Sequence, residues 1–481
     1  MAKLVSADLT GDKLCTLTYT TTDGKMLSFR ENAFDAKIIS HFYSNKGVII
    51  FEKPITLIGW KAFLNCDSLT NVEIGNSVTE IGWCAFEGCT SLTSITIPDS
   101  VTSIGGGAFF GCTSLKSVHY TGVLSAWCKI DFEHYNAVPQ GAKLYINEVE
   151  LTDITIPSDI TEIKNYAFCG CASLKSITIP DSVTSIGRSA FYGCGNLASI
   201  TIPDSVTSIG SSAFEKCPSL PMIDGIRYAD TYLVEAVDKT RTSYSIKTRV
   251  RFLGTAAFKS CISLTGITIP NSVTSIGRWA FLNCTSLTRV NIPNSVTLIG
   301  RQAFDGCDLL PVIDGIRYAD TYLVKVVDKT RTSYSIKAGT RFFCNYAFRD
   351  CSSLVSVTIP DSITSIGCGA FEGCDSLISI TIPKSVTSIG EIAFYGCKSL
   401  TSITIPDSVI SIGKEAFRAC LSLKTVICKA EIPPKLEISR DGIINTFPNF
   451  DTLIIPKGCE KAYLNSDWKK YIVEDIESVT E

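Results

Sequence analysis

The residues of this chain best suited to chemistry are its 21 cysteines and its three histidines, His41, His119 and His134. Cysteines in such number could form disulfides, hold a metal, or carry redox or nucleophilic chemistry. Zinc needs paired thiolates or imidazoles at short spacing, yet no C-x-x-C occurs and no histidine falls in a cysteine cluster. A Ser-His-Asp or Cys-His set would have to use one of the three histidines. His119 lies in Val118-His119-Tyr120, at an expected exposed strand position with no fixed partner. Gly105-Gly106-Gly107 could suit a phosphate loop, but no Lys-Ser/Thr follows in the required register. Carboxylates at Asp99, Asp181, Asp204, Asp361 and Asp407 recur in one sequence context, as corner residues do. An active site is needed once, so this repetition argues for structure. The reading is no catalytic residue, no metal and no cofactor.

Composition excludes other classes. The 44 Lys and Arg nearly balance the 47 Asp and Glu, leaving a net charge of -3. Without a basic run the chain lacks the electrostatic footprint of a nucleic-acid binder. Hydrophobic residues make up 45% and mean hydropathy is +0.23, which excludes wholesale disorder. No apolar run reaches the ~18 residues of a membrane-spanning helix. The opening MAKLVSADLTGDKLC has no apolar core of a secretory signal, so none is expected. By length alone, 481 residues would suggest about three domains.

The elements that must position any site come from one repeated phrase. SLTSITIPDSVTSIGGGAFFGC at 91–112 recurs along most of the chain, and an Ala-Phe pair marks thirteen copies. Their phenylalanines are Phe63, Phe86, Phe109, Phe168, Phe191, Phe214, Phe258, Phe281, Phe304, Phe348, Phe371, Phe394 and Phe417. The step is 23 residues, lengthened to 59 before Phe168 and to 44 before Phe258 and Phe348. This replaces three domains by one array with three insertions. Within a unit, Ser94-Ile95-Thr96-Ile97 alternates at the strand period. Pro98 has no N–H for a ladder and should end that strand. Asp99-Ser100 reads as a turn, and Gly105 as a tight corner or a positive-φ position. No unit this small buries its own apolar face, so Leu, Ile, Val, Phe and Cys should stack in columns. The expected product is a parallel β-solenoid with strands about 4.8 Å apart, its thirteen strands spanning roughly 60 Å.

Leu92, Ile95 and Ile97 fit the L-x-x-L-x-L signature of leucine-rich repeats. The form I-P-x-x-V-x-x-I-G-x-x-A-F over residues 51–428 resembles the BspA-like, treponemal-type leucine-rich repeats. The resemblance implies an α/β leucine-rich repeat solenoid, a right-handed curved array with its parallel sheet on the concave face and a short irregular convex side. It also implies a bacterial surface or secreted protein engaged in adhesion or protein binding, with no catalytic residues. The missing signal sequence and a reduced cysteine column fit a cytoplasmic chain equally, so the compartment stays open.

Thirteen cysteines occupy one column, each three residues after its phenylalanine. Parallel stacking points their side chains the same way, which makes the disulfide torsion near 90° hard to reach. They are expected to be small buried hydrophobes with reduced thiols.

Binding is expected where the rhythm allows exposed or unusual residues. The position between the two isoleucines supplies Thr178, Thr201, Thr268 and Asn291 to the concave face, and the position two earlier supplies Arg289. The insertions at about 221–250 and 311–340 agree at 23 of 25 positions from Ile223 and Ile313, and each reads as a hairpin turning at Asp-Thr. They carry Arg227, Tyr228, Tyr232, Arg241 and Tyr244, then Arg317, Tyr318, Tyr322, Arg331 and Tyr334. Arg and Tyr are the types enriched at interface anchors. The insertion at about 120–150 should protrude with Trp127, His134 and Tyr135. Residues 1–50 should form a capping hairpin around Asp23-Gly24, and 429–481 a C-terminal cap with an amphipathic helix using Tyr463, Leu464, Trp468 and Ile472. The resulting reading is a monomeric, non-enzymatic scaffold for a protein partner. A glycan-binding module using the insertion aromatics, or an intracellular assembly scaffold, is the alternative.

Overall fold

A computed structural model describes residues 15–133, 141–438 and 445–472, so the expectations for His134 and Tyr135 lie outside the described residues. The chain divides into two compact units, Met1–Val237 and Asp238–Glu481, each a β-solenoid of stacked rungs.

Each rung contributes a longer strand, a turn, and a two-residue strand. In the first unit Asp153–Thr155, Ser176–Thr178 and Ser199–Thr201 pair in parallel at a constant 23-residue register. Glu162–Ile163, Ser185–Ile186 and Ser208–Ile209 form a second parallel ladder alongside. The second unit repeats this with Gly266–Thr268 on Arg289–Asn291, and with Ser365–Ile366, Ser388–Ile389 and Ser411–Ile412. The strand at Ser94–Ile97 ends before Pro98, as a residue without an N–H requires.

The glycine column does a different job from the positive φ offered as one reading. A Cβ at Gly105 would lie 2.5 Å from the Trp83 nitrogen, and one at Gly413 2.3 Å from that of Glu391. Glycine is there because successive backbones pass too closely for a side chain. The left-handed residues come two and six positions later, such as Gly107 at 68° and Gly111 at 74°.

Phenylalanine rings fill the interior face to face. Phe168 and Phe191 lie 5.5 Å apart at 2°, and Phe258 and Phe281 5.1 Å apart at 2°. The translation between rungs imposes this stacking, and full burial of each ring contributes about 2–3 kcal/mol. The column runs one ring past the thirteenth copy. Phe447 stacks 5.0 Å from Phe417, whose N–H donates to Thr446 O, a partner that is an alanine in earlier rungs.

The ends and the first insertion differ in detail from expectation. Gly24 does turn the chain (φ 64°), but Thr16–Thr21 pairs antiparallel with Gly47–Phe51 and with Leu69–Glu73. The Leu27 N–H is taken by the Tyr19 hydroxyl, so the chain leaves the turn without forming a ladder. The hairpin of this end is Ile38–Tyr43 on Gly47–Phe51. The insertion after Tyr120 builds another rung, with Asp131–Phe132 parallel to Ser103–Ile104 and Lys143–Ile146 parallel to Ser117–Tyr120. At the other end Thr452–Ile454 pairs with Thr425–Cys428, followed by a helix at Glu460–Leu464 and a 3-10 turn at Asp467–Tyr471. Tyr463 and Trp468 are buried there, while Leu464 is exposed.

Candidate binding surface

The cysteine column is interior. All thirteen members are buried with free thiols, and nine of them donate to the carbonyl of the phenylalanine in the preceding rung. Cys194 Sγ to Phe168 O is 3.1 Å, as is Cys284 Sγ to Phe258 O. The thiol therefore fills the corner and adds a second donor to a carbonyl that already accepts a backbone N–H, as Phe168 O does from Cys171. Burial pushes the Cys217 thiol up to about 12 and Cys66 to about 11, away from the reactive thiolate.

His119 does have partners: Ser117 Oγ of its own strand, 3.1 Å from Nε2, and two residues of the following insertion. Its ring stacks on Tyr145 at 4.5 Å and 5°, and Nδ1 lies 3.3 Å from Glu148 Oε2.

The aromatic residues expected to reach outward point inward. Trp127 is fully buried, its Nε1 donating to Ala167 O at 2.9 Å. Tyr228, Tyr232, Tyr244, Tyr318, Tyr322 and Tyr334 are all buried. Tyr232 packs 5.3 Å from Phe214 and Tyr322 5.4 Å from Phe304, extending the ring column through the insertion. Tyr334 belongs to no hairpin. It is the central residue of the strand Ser333–Ser335, opposite Val357 and 23 residues before it. Tyr244 likewise stands 23 residues before the interior residue Ile267. Counting back from the next repeat would have found both, because tyrosine there replaces isoleucine in an otherwise intact phrase.

The hairpins form as expected around Asp230-Thr231 and Asp320-Thr321, with Ala229 opposite Tyr232 and Ala319 opposite Tyr322. A third short strand joins each, Met222–Ile223 and Val312–Ile313, and its residues are exposed. Where the hairpin interrupts the long-strand ladder, Ile202 N–H donates to Asp230 Oδ2 at 2.9 Å and Ile292 N–H to Asp320 Oδ2 at 2.8 Å. In regular rungs that N–H meets the next rung's carbonyl, as Ile179 meets Thr201. The arginines are tied down. Arg227 pairs with Glu235 at 3.2 Å, and the buried Arg317 with Asp308. Arg241 holds Asp238, and Arg331 holds Asp328, each at 3.2 Å. The Asp328 carboxyl is held below its usual range first by the Thr330 hydroxyl, which also closes the turn.

What remains on the surface is the long-strand face. Thr178 and Thr201 are exposed on paired strands of the first unit, and Thr268, Arg289 and Asn291 on paired strands of the second. Other repeated hydroxyls are used internally: Ser100 donates to Val78 O at 2.7 Å, Ser205 to Val183 O at 2.8 Å, and Thr288 to Thr265 O at 2.9 Å. Among the described residues no side-chain hydrogen bond engages Thr178, Thr201 or Thr268. Arg289 lies flat over Gly266 of the neighbouring strand, where a Cβ would meet its Nε at 2.7 Å. No cluster of three or more metal-capable side chains occurs among the described residues, and no helix among them is long and apolar enough to cross a membrane.

A model of one known family accounts for most of the chain. The family described as BspA type leucine rich repeat region matches in six copies over residues 36–134, 141–232, 237–316 and 331–466. No curated protein matches. Among solved structures, a leucine rich cell surface protein from Faecalibacterium prausnitzii is 24% identical, with 93% of this chain and 99% of that chain covered and a TM-score of 0.29. A leucine-rich repeat protein from Bacteroides ovatus is 28% identical over 88% and 99%, with a TM-score of 0.26. One from Eubacterium ventriosum is 24% identical over 89% and 99%, with a TM-score of 0.33.

Proposed function

We propose, from the premise that the chain belongs to the BspA-type leucine-rich repeat family, that it is a non-enzymatic scaffold binding a protein partner through its long-strand face. The observation that carries the reading is the division of labour among its hydroxyls. Those at turns and strand starts brace one rung on another, whereas Thr178, Thr201 and Thr268 face outward with hydrogen-bonding capacity unspent. In the second unit Arg289 and Asn291 stand beside Thr268 and are the side chains best able to give its long-strand face specificity. At a bacterial surface such a scaffold would serve as an adhesin-like binder of a host protein. Inside a cell it would organise an assembly. The aromatic platform required for glycan binding through Trp127 and the hairpin tyrosines is absent, because those rings are core.

The test is recovery of partners from an extracellular protein mixture by the full chain and by a Thr178→Lys, Thr201→Lys variant. A partner held by the parent and by an Asp181→Lys control, but lost by the double variant, supports the reading. Equal recovery by all three refutes it.

A further inference from the structure

The near-neutral total conceals a segregation of charge. Residues 248–304 contain six basic side chains, Arg249, Arg251, Lys259, Arg278, Arg289 and Arg301, and no Asp or Glu. The turn after the long strand carries Asp181, Asp204, Asp361 and Asp407 in other rungs, but Asn271 and Asn294 in these.

Arg278 and Arg301 occupy one place in successive rungs. Their backbones touch, since Trp279 N–H donates to Arg301 O at 3.1 Å and a Cβ at Gly300 would meet the Arg278 nitrogen at 2.3 Å. Both side chains are exposed, as is Lys259. The Arg278 guanidinium lies 3.8 Å from the centre of the Trp279 ring and the Lys259 ammonium 5.8 Å. Trp279 is itself fixed by Nε1 donating to Gln302 Oε1 at 2.9 Å. Arg278 and Arg301 lie in turns that follow the short strands, and like charges on such adjoining rungs disfavour the fold that holds them. Neither arginine has a carboxylate partner among the described residues. Elsewhere the fold resolves the same place differently: Glu391 and Lys414, one rung apart, pair at 2.7 Å. The charges of Arg278 and Arg301 are thus left for an anion from outside to neutralise.

We propose that Lys259, Arg278, Arg301 and Trp279 form a binding site for an anionic polysaccharide, one bearing carboxylates or sulfates along its length. The two guanidinium groups take anionic groups spaced along the stacking direction, and Trp279 flanks them with an aromatic surface for a sugar ring. Nucleic acid is the less suited polyanion, because its binders typically engage about 6–10 phosphates and this site offers three cations. The site is separate from the long-strand face and does not depend on a protein partner.

The experiment is retention of the full chain on immobilised heparin and chondroitin sulfate, with neutral dextran as the blank. The parent is expected to bind at least one sulfated matrix and elute with salt. Arg278→Ser with Arg301→Ser should weaken binding at least about tenfold, the loss of one charge-assisted contact. Serine is tolerated in that place, where Ser211 stands in another rung. Arg188→Ser, which removes a lone exposed arginine from the same place in the first unit, should leave retention unchanged. Unchanged melting by circular dichroism confirms the fold, and an Arg→Gln pair replaces the serines if it does not. Equal binding by parent and double variant, or no retention of the parent on either matrix, overturns the proposal. Tighter binding of a short DNA duplex with the same mutational response overturns the ligand class. Protein-partner recovery should be the same for parent and double variant, which separates this site from the long-strand face.

Discussion

Moving the protein from about pH 8 to about pH 10 perturbs the buried cysteine column directly. Burial raises the Cys217 thiol to about 12 and Cys66 and Cys351 to about 11, and shifts Cys171, Cys194, Cys261 and Cys374 upward for the same first cause. In the unfolded chain these thiols ionise near 9.0. The fold holds the neutral form, so its stability is whole below that value and falls as pH rises through the window up to the raised one. One unit above the unfolded value, each thiol raised to about 11 or 12 costs about 1.4 kcal/mol. Cys66, Cys217 and Cys351 acting independently would cost about 4 kcal/mol, a large part of the whole stability of an ordinary domain, and the other four act in the same direction. The assay is urea unfolding followed by circular dichroism under reductant at several pH values. Cys194→Ser and Cys217→Ser keep a donor for the carbonyls of Phe168 and Phe191 but cannot ionise, so Cys217→Ser should return about 1.4 kcal/mol at pH 10 and Cys194→Ser should act in the same direction. A total loss below that of a single thiol, or an identical loss in the double serine variant, would refute the reasoning.

Three further outcomes follow from the same geometry. Under native conditions a thiol reagent should label Cys15, Cys84 and Cys459, which are partly exposed, and spare the thirteen column thiols until the chain unfolds. Asp320→Ala should strip the Ile292 N–H of its acceptor and cost about 2 kcal/mol, read as a roughly thirtyfold loss of hydrogen-exchange protection at that amide. Asp361→Ala, at a regular turn, should leave its own rung's protection unchanged. Gly300→Ala should destabilise by more than about 1 kcal/mol, because the added Cβ meets the Arg278 backbone and not a movable side chain; a neutral effect would mean that successive corners are not in contact.

The repeat was legible in the sequence because translation forces identical environments on residues 23 apart, and identical environments select identical types. Phe191, Cys194 and Gly187 announce their roles through recurrence alone. What recurrence cannot convey is direction at the places where it fails. Tyr232 and Tyr322 have the residue type of an interface anchor, yet the ring column needs a filler at the rung where the phenylalanine is missing, and tyrosine reaches it. Trp127 misleads for the same reason: an insertion suggests protrusion, whereas this one builds a further rung and buries the ring. The basic stretch at 248–304 was hidden by a sum over the whole chain, and it emerges only when charge is counted rung by rung.

The duplicated hairpins carry their own substitution experiment. Glu235 of the first copy corresponds to Lys325 of the second, and that reversal beside a retained arginine would set two positive charges against each other. It does not, because Pro218 of the first copy corresponds to Asp308 of the second. Arg227 pairs with Glu235 in one copy, whereas Arg317 and Lys325 share Asp308 in the other. Two changes at contacting positions have kept the arginine neutralised, so the constraint on this arginine is structural. A Glu235→Lys variant, lacking the aspartate, should therefore destabilise the first hairpin by up to about 1 kcal/mol for a partly exposed pair, and Pro218→Asp should recover it. If Glu235→Lys is neutral alone, or Pro218→Asp fails to compensate, the arginine must be retained for something other than the fold.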